Sequence, residues 1–201
     1  MNRPYSESCE QNKFVIYDVI RDYLKPGIDV LEIGSGTAQH AIFFAEQNPS
    51  INWQTSDRPE YIDGIRNWLD FAALSNLPQP IVLDVCELWP EQSYDLIFTA
   101  NSLHIMGETE AEQCIINSAG LLKPGACLIV YGPFNYNGQF TSESNRNFEQ
   151  WLKRQNHKSG IKDFEWANEI ATIAGLKLID DVAMPANNRI LVWQSATLTA
   201  K

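Results

Sequence analysis

The residues best able to do chemistry lie in Val30-Leu-Glu-Ile-Gly-Ser-Gly-Thr-Ala-Gln-His40. An apolar run that meets Gly34-Ser35-Gly36 and then a helical pattern predicts a strand, a turn and a helix. In such a turn backbone amides approach a ligand closely, because glycine has no side chain to obstruct it. The helix start that follows favours a carboxylate or a phosphate. Gly-x-Gly alone also fits a plain tight turn, so the flanks carry the argument. Asp57 follows Gly36 by 21 residues, the distance expected of an acid that accepts from ribose hydroxyls. Asp84, in Leu83-Asp84-Val85, can accept from an exocyclic adenine amine while the next backbone amide donates to the ring. Either aspartate alone could cap a helix. Together, at strand ends beside the glycine loop, they point to a nucleoside.

Positioning these residues takes alternating helices and strands. Helical spacing covers 10–24, with Ser8 and Gln11 as a capping box and Lys25-Pro26-Gly27 as the stop. Buried strands are expected at 29–33, 51–56 (closing on Asp57), 81–85, 94–100 and 126–131, with helices at 38–47, 59–75 and 109–122 between them. Leu-Lys-Pro-Gly occurs at 24–27 and 122–125, each time before an apolar strand, and reads as one helix-to-strand joint used twice. A polar loop at 135–145 precedes helices at 146–156 and 163–174. Strands at 176–183 and 188–194 then flank Pro185-Ala-Asn-Asn188, a hairpin turn. The alternation predicts an α/β fold: a doubly wound, mostly parallel sheet of seven strands, covered on both faces, with a C-terminal antiparallel hairpin. Ligands of such sheets sit beyond the strand carboxyl ends, where the strand order reverses.

Composition bounds the function. The 201 residues suit one domain, 1–201, and 44% hydrophobic with 20% charged is an ordinary globular balance. Twenty-five acids against fifteen bases, net −10, lower the expectation of bulk nucleic-acid or anionic-membrane binding. No apolar run suits a membrane span and no signal region opens the chain, so a cytoplasmic location is expected. Cys9, Cys86, Cys114 and Cys127 lack metal or disulfide spacing and read as buried free thiols, and no metal site is expected. Five of the fifteen bases (Arg146, Lys153, Arg154, Lys158 and Lys162) fall within 146–162. A solvated helix face is the favoured reading, with an RNA or phosphate contact as the other.

Glu-x-Gly-x-Gly, an acid after the second strand and Asp-Val after the third make the chain resemble a class I S-adenosylmethionine-dependent methyltransferase, with its Rossmann-like sheet. It is more specifically similar to the methyltransferase-like protein 26 family, of unknown function. That likeness rests on Arg3-Pro-Tyr-Ser, Gly34-Ser-Gly-Thr, Asn101-Ser-Leu-His, Tyr131-Gly-Pro-Phe, Thr141-Ser-Glu-Ser-Asn and Met184-Pro-Ala-Asn-Asn. Ala38 departs from the pattern, which has a third glycine there; a small, helix-compatible residue should at most loosen packing.

The resemblance implies S-adenosylmethionine as the cofactor. Gly34, Ser35, Gly36 and Thr37 would cradle its methionine part, with Asn101 beside it. Glu32 would balance the ammonium or serve as a buried hydrogen-bond hub. Asp57 would take the ribose, and Asp84 with the Val85 amide the adenine. His104 is the best base candidate, its ordinary pKa being near neutral, with a hydrogen-bonded loop histidine or a donor contact as the alternative. Tyr131 joins it as a catalytic candidate, while His40 reads as a cofactor or helix contact. Residues 1–12 are a candidate lid, whose Arg3 and Tyr5 could contact the acceptor. A small-molecule acceptor is favoured over RNA or protein, and the oligomeric state is left open. A non-catalytic binding module is the main alternative. An NAD(P)-dependent oxidoreductase is a weaker one: Arg58 could read a 2′-phosphate, but Gln39 stands where the phosphate fingerprint wants glycine.

Overall fold

The computed structural model describes residues 3–197. Its first helix, α1 (Glu7–Ile20), starts earlier than the expected 10. The cap is Ser6, not Ser8: its backbone is extended and its Oγ accepts from the Cys9 amide at 3.3 Å, satisfying a donor the helix leaves orphaned. The helix also ends earlier than 24. Lys25 precedes proline, which disfavours helical backbone there, and the chain leaves through a tight turn in which the Tyr23 amide donates to the Ile20 carbonyl at 2.9 Å.

The chain continues through β1 (Asp29–Ile33), α2 (Gln39–Gln47), β2 (Asn52–Asp57), α3 (Pro59–Ala72), β3 (Ile81–Val82), β4 (Tyr94–Ala100), α4 (Glu108–Leu121) and β5 (Leu122–Gly132). It closes with β6 (Phe134–Asn135), α5 (Glu143–Gln155), β7 (Lys162–Asp163), α6 (Phe164–Ile173), β8 (Leu176–Met184) and β9 (Asn188–Ser195). Strands β1 and β4 have the bounds their apolar runs suggest. β3 does not: it pairs only Ile81 with Ser56 and Val82 with Asp57, because β2 ends there, the last tie being the Leu83 amide donating to the Asp57 carbonyl at 2.9 Å. Helix α3 stops short of 75, since Ala73 turns into the left-handed region at φ 49°. Helix α5 starts at Glu143 rather than 146, capped by Ser142, whose Oγ accepts from the Asn145 amide at 3.1 Å. In both Leu-Lys-Pro-Gly segments the glycine is left-handed (Gly27 at 83°, Gly125 at 79°), so the joint is shared, although Leu122 of the second already pairs with Tyr94.

The main sheet has seven strands in the order β3-β2-β1-β4-β5-β9-β8. The first five are parallel, and β9 runs antiparallel between β5 and β8. The hairpin thus inserts its apolar second strand beside β5 and leaves β8, with Lys177, Asp180 and Asp181, as a charged outer edge that discourages further pairing. A second sheet, not legible in the sequence, pairs β6 with β7.

Alternation along β1 separates two cores. Val30 joins Ile16, Phe44, Trp53, Ile65 and Phe98 under α1, α2 and α3. Leu31 and Ile33 join Ile97, Ile115, Leu128, Ala167 and Trp193 under α4 and α6. The order of strands reverses between β1 and β4, and both cores stop just below the loops that follow them. Of the cysteines, Cys114 and Cys127 are buried as expected, but Cys86 is exposed because it follows the truncated β3. No helix among the described residues is long and apolar enough to cross a membrane.

Candidate functional site

The loop after β1 is shaped by two left-handed glycines, Gly34 at φ 70° and Gly36 at 56°. A Cβ on Gly34 would lie 2.6 Å from Ser102 Oγ, so the loop rests directly on the residues that follow β4. A Cβ on Gly36 would meet nothing within 4 Å; the space above it is open. The Ser35 amide donates to the Ser56 carbonyl at 2.9 Å, and Ser35 Oγ accepts from the Ser56 amide at 3.1 Å, which stitches the loop to β2.

Asp57 organises the next layer. One carboxylate oxygen accepts from the Gly36 amide at 2.7 Å and the other from the Arg58 amide at 2.8 Å. Burial raises its pKa, against the pull of those two amides. Two carboxylate oxygens offer about four acceptor positions, so roughly two remain for a ligand.

These groups border a cavity of about 380 Å³, a size within the range of small-molecule sites. Gly34, Gly36, Asp57, Asp84, Val85 and Asn101 all line it, brought together from the ends of β1, β2, β3 and β4. Asn101 does so with a left-handed backbone, φ 58°, while its amide donates to the Tyr131 carbonyl at 2.9 Å.

The other expected site residues lie elsewhere. Glu32 is 2% exposed, beneath the glycine loop, and accepts from the Trp53 indole at 3.3 Å. Burial pushes its carboxyl up to about 7, with Asp57 adding to the effect. Ser35 and Thr37 are bonded to adjoining segments, Ser56 and Gln39, and do not line the cavity; Thr37 donates to Gln39 Oε1 at 2.8 Å. Gln39 also accepts from the Ser6 amide at 2.7 Å and donates to Glu10 at 2.7 Å, tying the N-terminal segment to the start of α2.

His104, the expected base candidate, lies away from the cavity. It is 6% exposed, lies edge-on to Phe148 with centroids 5.2 Å apart, and does not line the cavity. Burial, with Lys162 nearby, brings its pKa down to about 4, far from neutrality. Tyr131 is also withdrawn from the cavity: it packs in the core below α1, its hydroxyl engaged by Asn12 and Asn188, and burial raises its pKa. Its neighbour His40 is buried, bonds Asn12 Oδ1 at 2.6 Å and stacks on Phe44, a helix contact.

At the N-terminus, Arg3 does not face the cavity. Its guanidinium lies over Phe71 at 3.6 Å and Trp68 at 4.9 Å, on α3. The Trp68 indole donates to the Pro4 carbonyl, and Gly64 leaves the space that Pro4 fills. Tyr5 is exposed between these anchors; residues 1 and 2 of the candidate lid lie outside the described residues.

Several cavity residues were not foreseen: Tyr61, Ser102, Ile105, Met106, Glu110 and Asn156. Ser102 and Tyr61 sit close in sequence to Asn101 and Asp57. Asn156 carries no comparable signal, because it reaches the cavity from α5, far along the chain. Of the basic segment, Lys153 and Lys158 border a second cavity at the start of α4, with Glu108 and Glu110 in the same wall, and Lys162 is buried.

Ala38 proves to be the cap residue of α2, with a left-handed φ of 60°, and not its first helical residue. Left-handed backbone costs a non-glycine residue roughly 1–2 kcal/mol, while the buried methyl returns about 0.8 kcal/mol. Ala38→Gly is therefore expected to shift stability by no more than about 1 kcal/mol, toward greater stability, in a denaturant melt. A loss of more than that would contradict the left-handed cap.

The family described as a protein of unknown function, DUF938, matches residues 3–195. The chain is a member of the DUF938 family. Solved structures with the same architecture include an O-methyltransferase family protein from Burkholderia thailandensis, at TM-score 0.85 and 16% identity, covering 96% of this DUF938 chain and 57% of the other. The S-adenosylmethionine-dependent methyltransferase SibL, in its apo form, matches at TM-score 0.79 and 17% identity over 94% and 56% of the two chains. An O-methyltransferase family 2 protein from Planctomyces limnophilus, solved with apigenin, matches at TM-score 0.75 and 16% identity over 86% and 52%. The DUF938 chain spans little more than half the length of each, and at these identities the likeness is one of fold.

Proposed function

We propose that this DUF938 protein is a methyltransferase that binds S-adenosylmethionine in the cavity between the ends of β1, β2 and β4, and methylates a small molecule. The observation that carries this reading is Asp57, a carboxylate at the end of β2, fixed by two backbone amides and still able to accept from a ligand. That arrangement suits a ribose diol. Asp84 and Val85, on the same cavity, suit an adenine edge. The open space over Gly36 leaves room for the donor chain. Gly34, Ser35, Gly36, Thr37 and Asn101 would surround its methionine part, and Glu32 would supply the charge opposite its ammonium. The proposed kinship with the methyltransferase-like protein 26 family fits the same segments.

S-adenosylmethionine supplies a methyl group on a positively charged sulfur that leaves as a neutral thioether. What the protein must add is alignment, worth roughly 7–11 kcal/mol when the reacting groups are well oriented. A base is required only where the acceptor holds a proton at neutral pH. His104, at about 4, is too weak a base to be poised for that, and Tyr131 is held in the core, so methyl transfer is proposed without a proton acceptor at either residue. The fold neighbour solved with apigenin supports a small organic acceptor.

Calorimetry with S-adenosylhomocysteine tests the reading. Glu32 titrates at about 7 in the free protein, so below that pH it is largely protonated. An ammonium brought close favours its ionised form. Binding at pH 6 is expected to release on the order of one proton, seen as a dependence of the heat on buffer ionisation enthalpy. Glu32→Gln should remove that release. No binding heat from folded wild-type protein would overturn the donor assignment.

A further inference from the structure

The cavity wall formed by Ile105 and Met106 belongs to the loop between β4 and α4, where the carbonyls of 104–106 precede the start of the helical ladder. Three of them in a row are taken by donors from one distant segment. The His104 carbonyl accepts from the Gly160 amide at 2.9 Å, the Ile105 carbonyl from Ser159 Oγ at 2.6 Å, and the Met106 carbonyl from Lys162 Nζ at 2.7 Å. Lys162 gives a second bond to the Gly160 carbonyl at 2.9 Å. Its side chain is 6% exposed, and no salt bridge to it forms among the described residues. Burying an unpaired ammonium is a poor route to stability, since an apolar residue of similar size would avoid the desolvation cost. An Nζ hydrogen bond to a carbonyl, made by the amine in either protonation state, nonetheless fixes a loop segment that has no ladder of its own. The segment that supplies these donors also places Asn156 on the cavity, and β7 anchors it to β6 just beyond the end of β5.

We propose that residues 156–162 form a clamp on the donor cavity, in which Lys162 and Ser159 are positioning residues that hold the Ile105–Met106 wall against the nucleoside. The inference rests on the donor reading above for its ligand, but not for the clamp itself. The charged and titratable groups acting on Lys162 are Lys153, Glu108, Glu149 and Glu110, with His104 also within its field. Burial is the largest influence and brings Lys162 down to about 8. Once the clamp opens and the ammonium is solvated, it returns toward 10.5. The open form then holds the proton more tightly than the closed form, so closure is favoured as pH rises from about 8 toward 10.5.

Hydrogen exchange at the amides of 104–107 in ligand-free protein, alongside S-adenosylhomocysteine calorimetry, tests this. Lys162→Met and Ser159→Ala are each expected to raise exchange at 104–107 about tenfold and to weaken binding by a similar factor. Protection of those amides in wild type, corrected for chemical exchange, should rise between pH 8 and 10 and stay flat in Lys162→Met. Ser159→Ala keeps the test decisive if the lysine variant fails to fold. Unchanged exchange in Ser159→Ala would overturn the clamp; raised exchange with unchanged affinity would overturn its role in binding. If wild type binds no S-adenosylhomocysteine, the donor reading falls, and exchange still decides the clamp.

Discussion

Asp57→Ala is expected to weaken S-adenosylhomocysteine binding a hundredfold or more while leaving a folded protein. Hydrogen bonds to a charged group contribute roughly 1.5–3 kcal/mol each, and two of them to a ribose diol make about 3–6 kcal/mol. Each 1.4 kcal/mol is a factor of about ten, so even the low end exceeds a hundredfold. The cost to folding is smaller because two effects oppose each other. The Gly36 and Arg58 amides lose their acceptor, at about 1–3 kcal/mol each if left dry. Both lie beside a cavity that water can enter, and removing a carboxylate whose pKa is raised by burial relieves its desolvation. A net loss of about 1–2 kcal/mol is expected. Asp57→Asn should bind almost as poorly, since an amide must turn an N–H toward one of two backbone donors. Calorimetry on each variant, with circular dichroism to establish folding, checks the pair. Near wild-type affinity in folded Asp57→Ala would remove the main support for a nucleoside in this cavity.

Gly34→Ala should be the most damaging small substitution in the loop. Two costs add there. A left-handed φ of 70° costs an alanine roughly 1–2 kcal/mol. The new Cβ would also lie 2.6 Å from Ser102 Oγ, and overpacking of that kind typically costs about 1–3 kcal/mol. Ser102 can yield only by giving up its bond to the Ala100 carbonyl, at 3.2 Å, and it lines the cavity, so the displacement is felt where the ligand sits. A total of about 2–5 kcal/mol is expected in urea melts. A double-mutant cycle separates the parts: Ser102→Ala in the Gly34→Ala background should recover the steric share and leave the backbone share. Simple additivity of the two substitutions would show that the loop does not press on the β4–α4 connection as described.

The same two residues show how far the sequence could be read. Gly34 and Asp57 announce themselves by type and spacing, because a ligand approached by backbone needs glycine and a ribose needs an acid at a strand end. Strands β1 and β4 are legible to the residue for a related reason: both are buried on two faces and are mostly apolar, interrupted by Glu32 in one and by Asp95 and Thr99 in the other. β3 was overread, since its apolar run outlasts the strand it pairs with. Ser6, rather than Ser8, is the cap in a start fixed by Gln39, which meets the Ser6 amide only once α1 and α2 pack together. His104 carried an appealing pKa only while it was imagined in solvent. Phe148 and Lys162, more than forty residues away in the chain, bury it and lower its proton affinity.

What the amino-acid sequence determined alone is the layered α/β architecture and the strand-end residues, Gly34, Gly36, Asp57, Asp84 and Asn101, that line the cavity. Periodicity, glycine placement and strand-end acids are local properties, written in consecutive residues. Tertiary structure alone decided which polar groups face the cavity and which are spent on holding the chain. Arg3 went to the aromatic face of α3, Tyr131 to the core, and Lys162 to the carbonyls of a loop that has no ladder of its own. Each depends on burial and on partners distant in sequence, and burial is what sets a side chain's charge and its availability to a ligand.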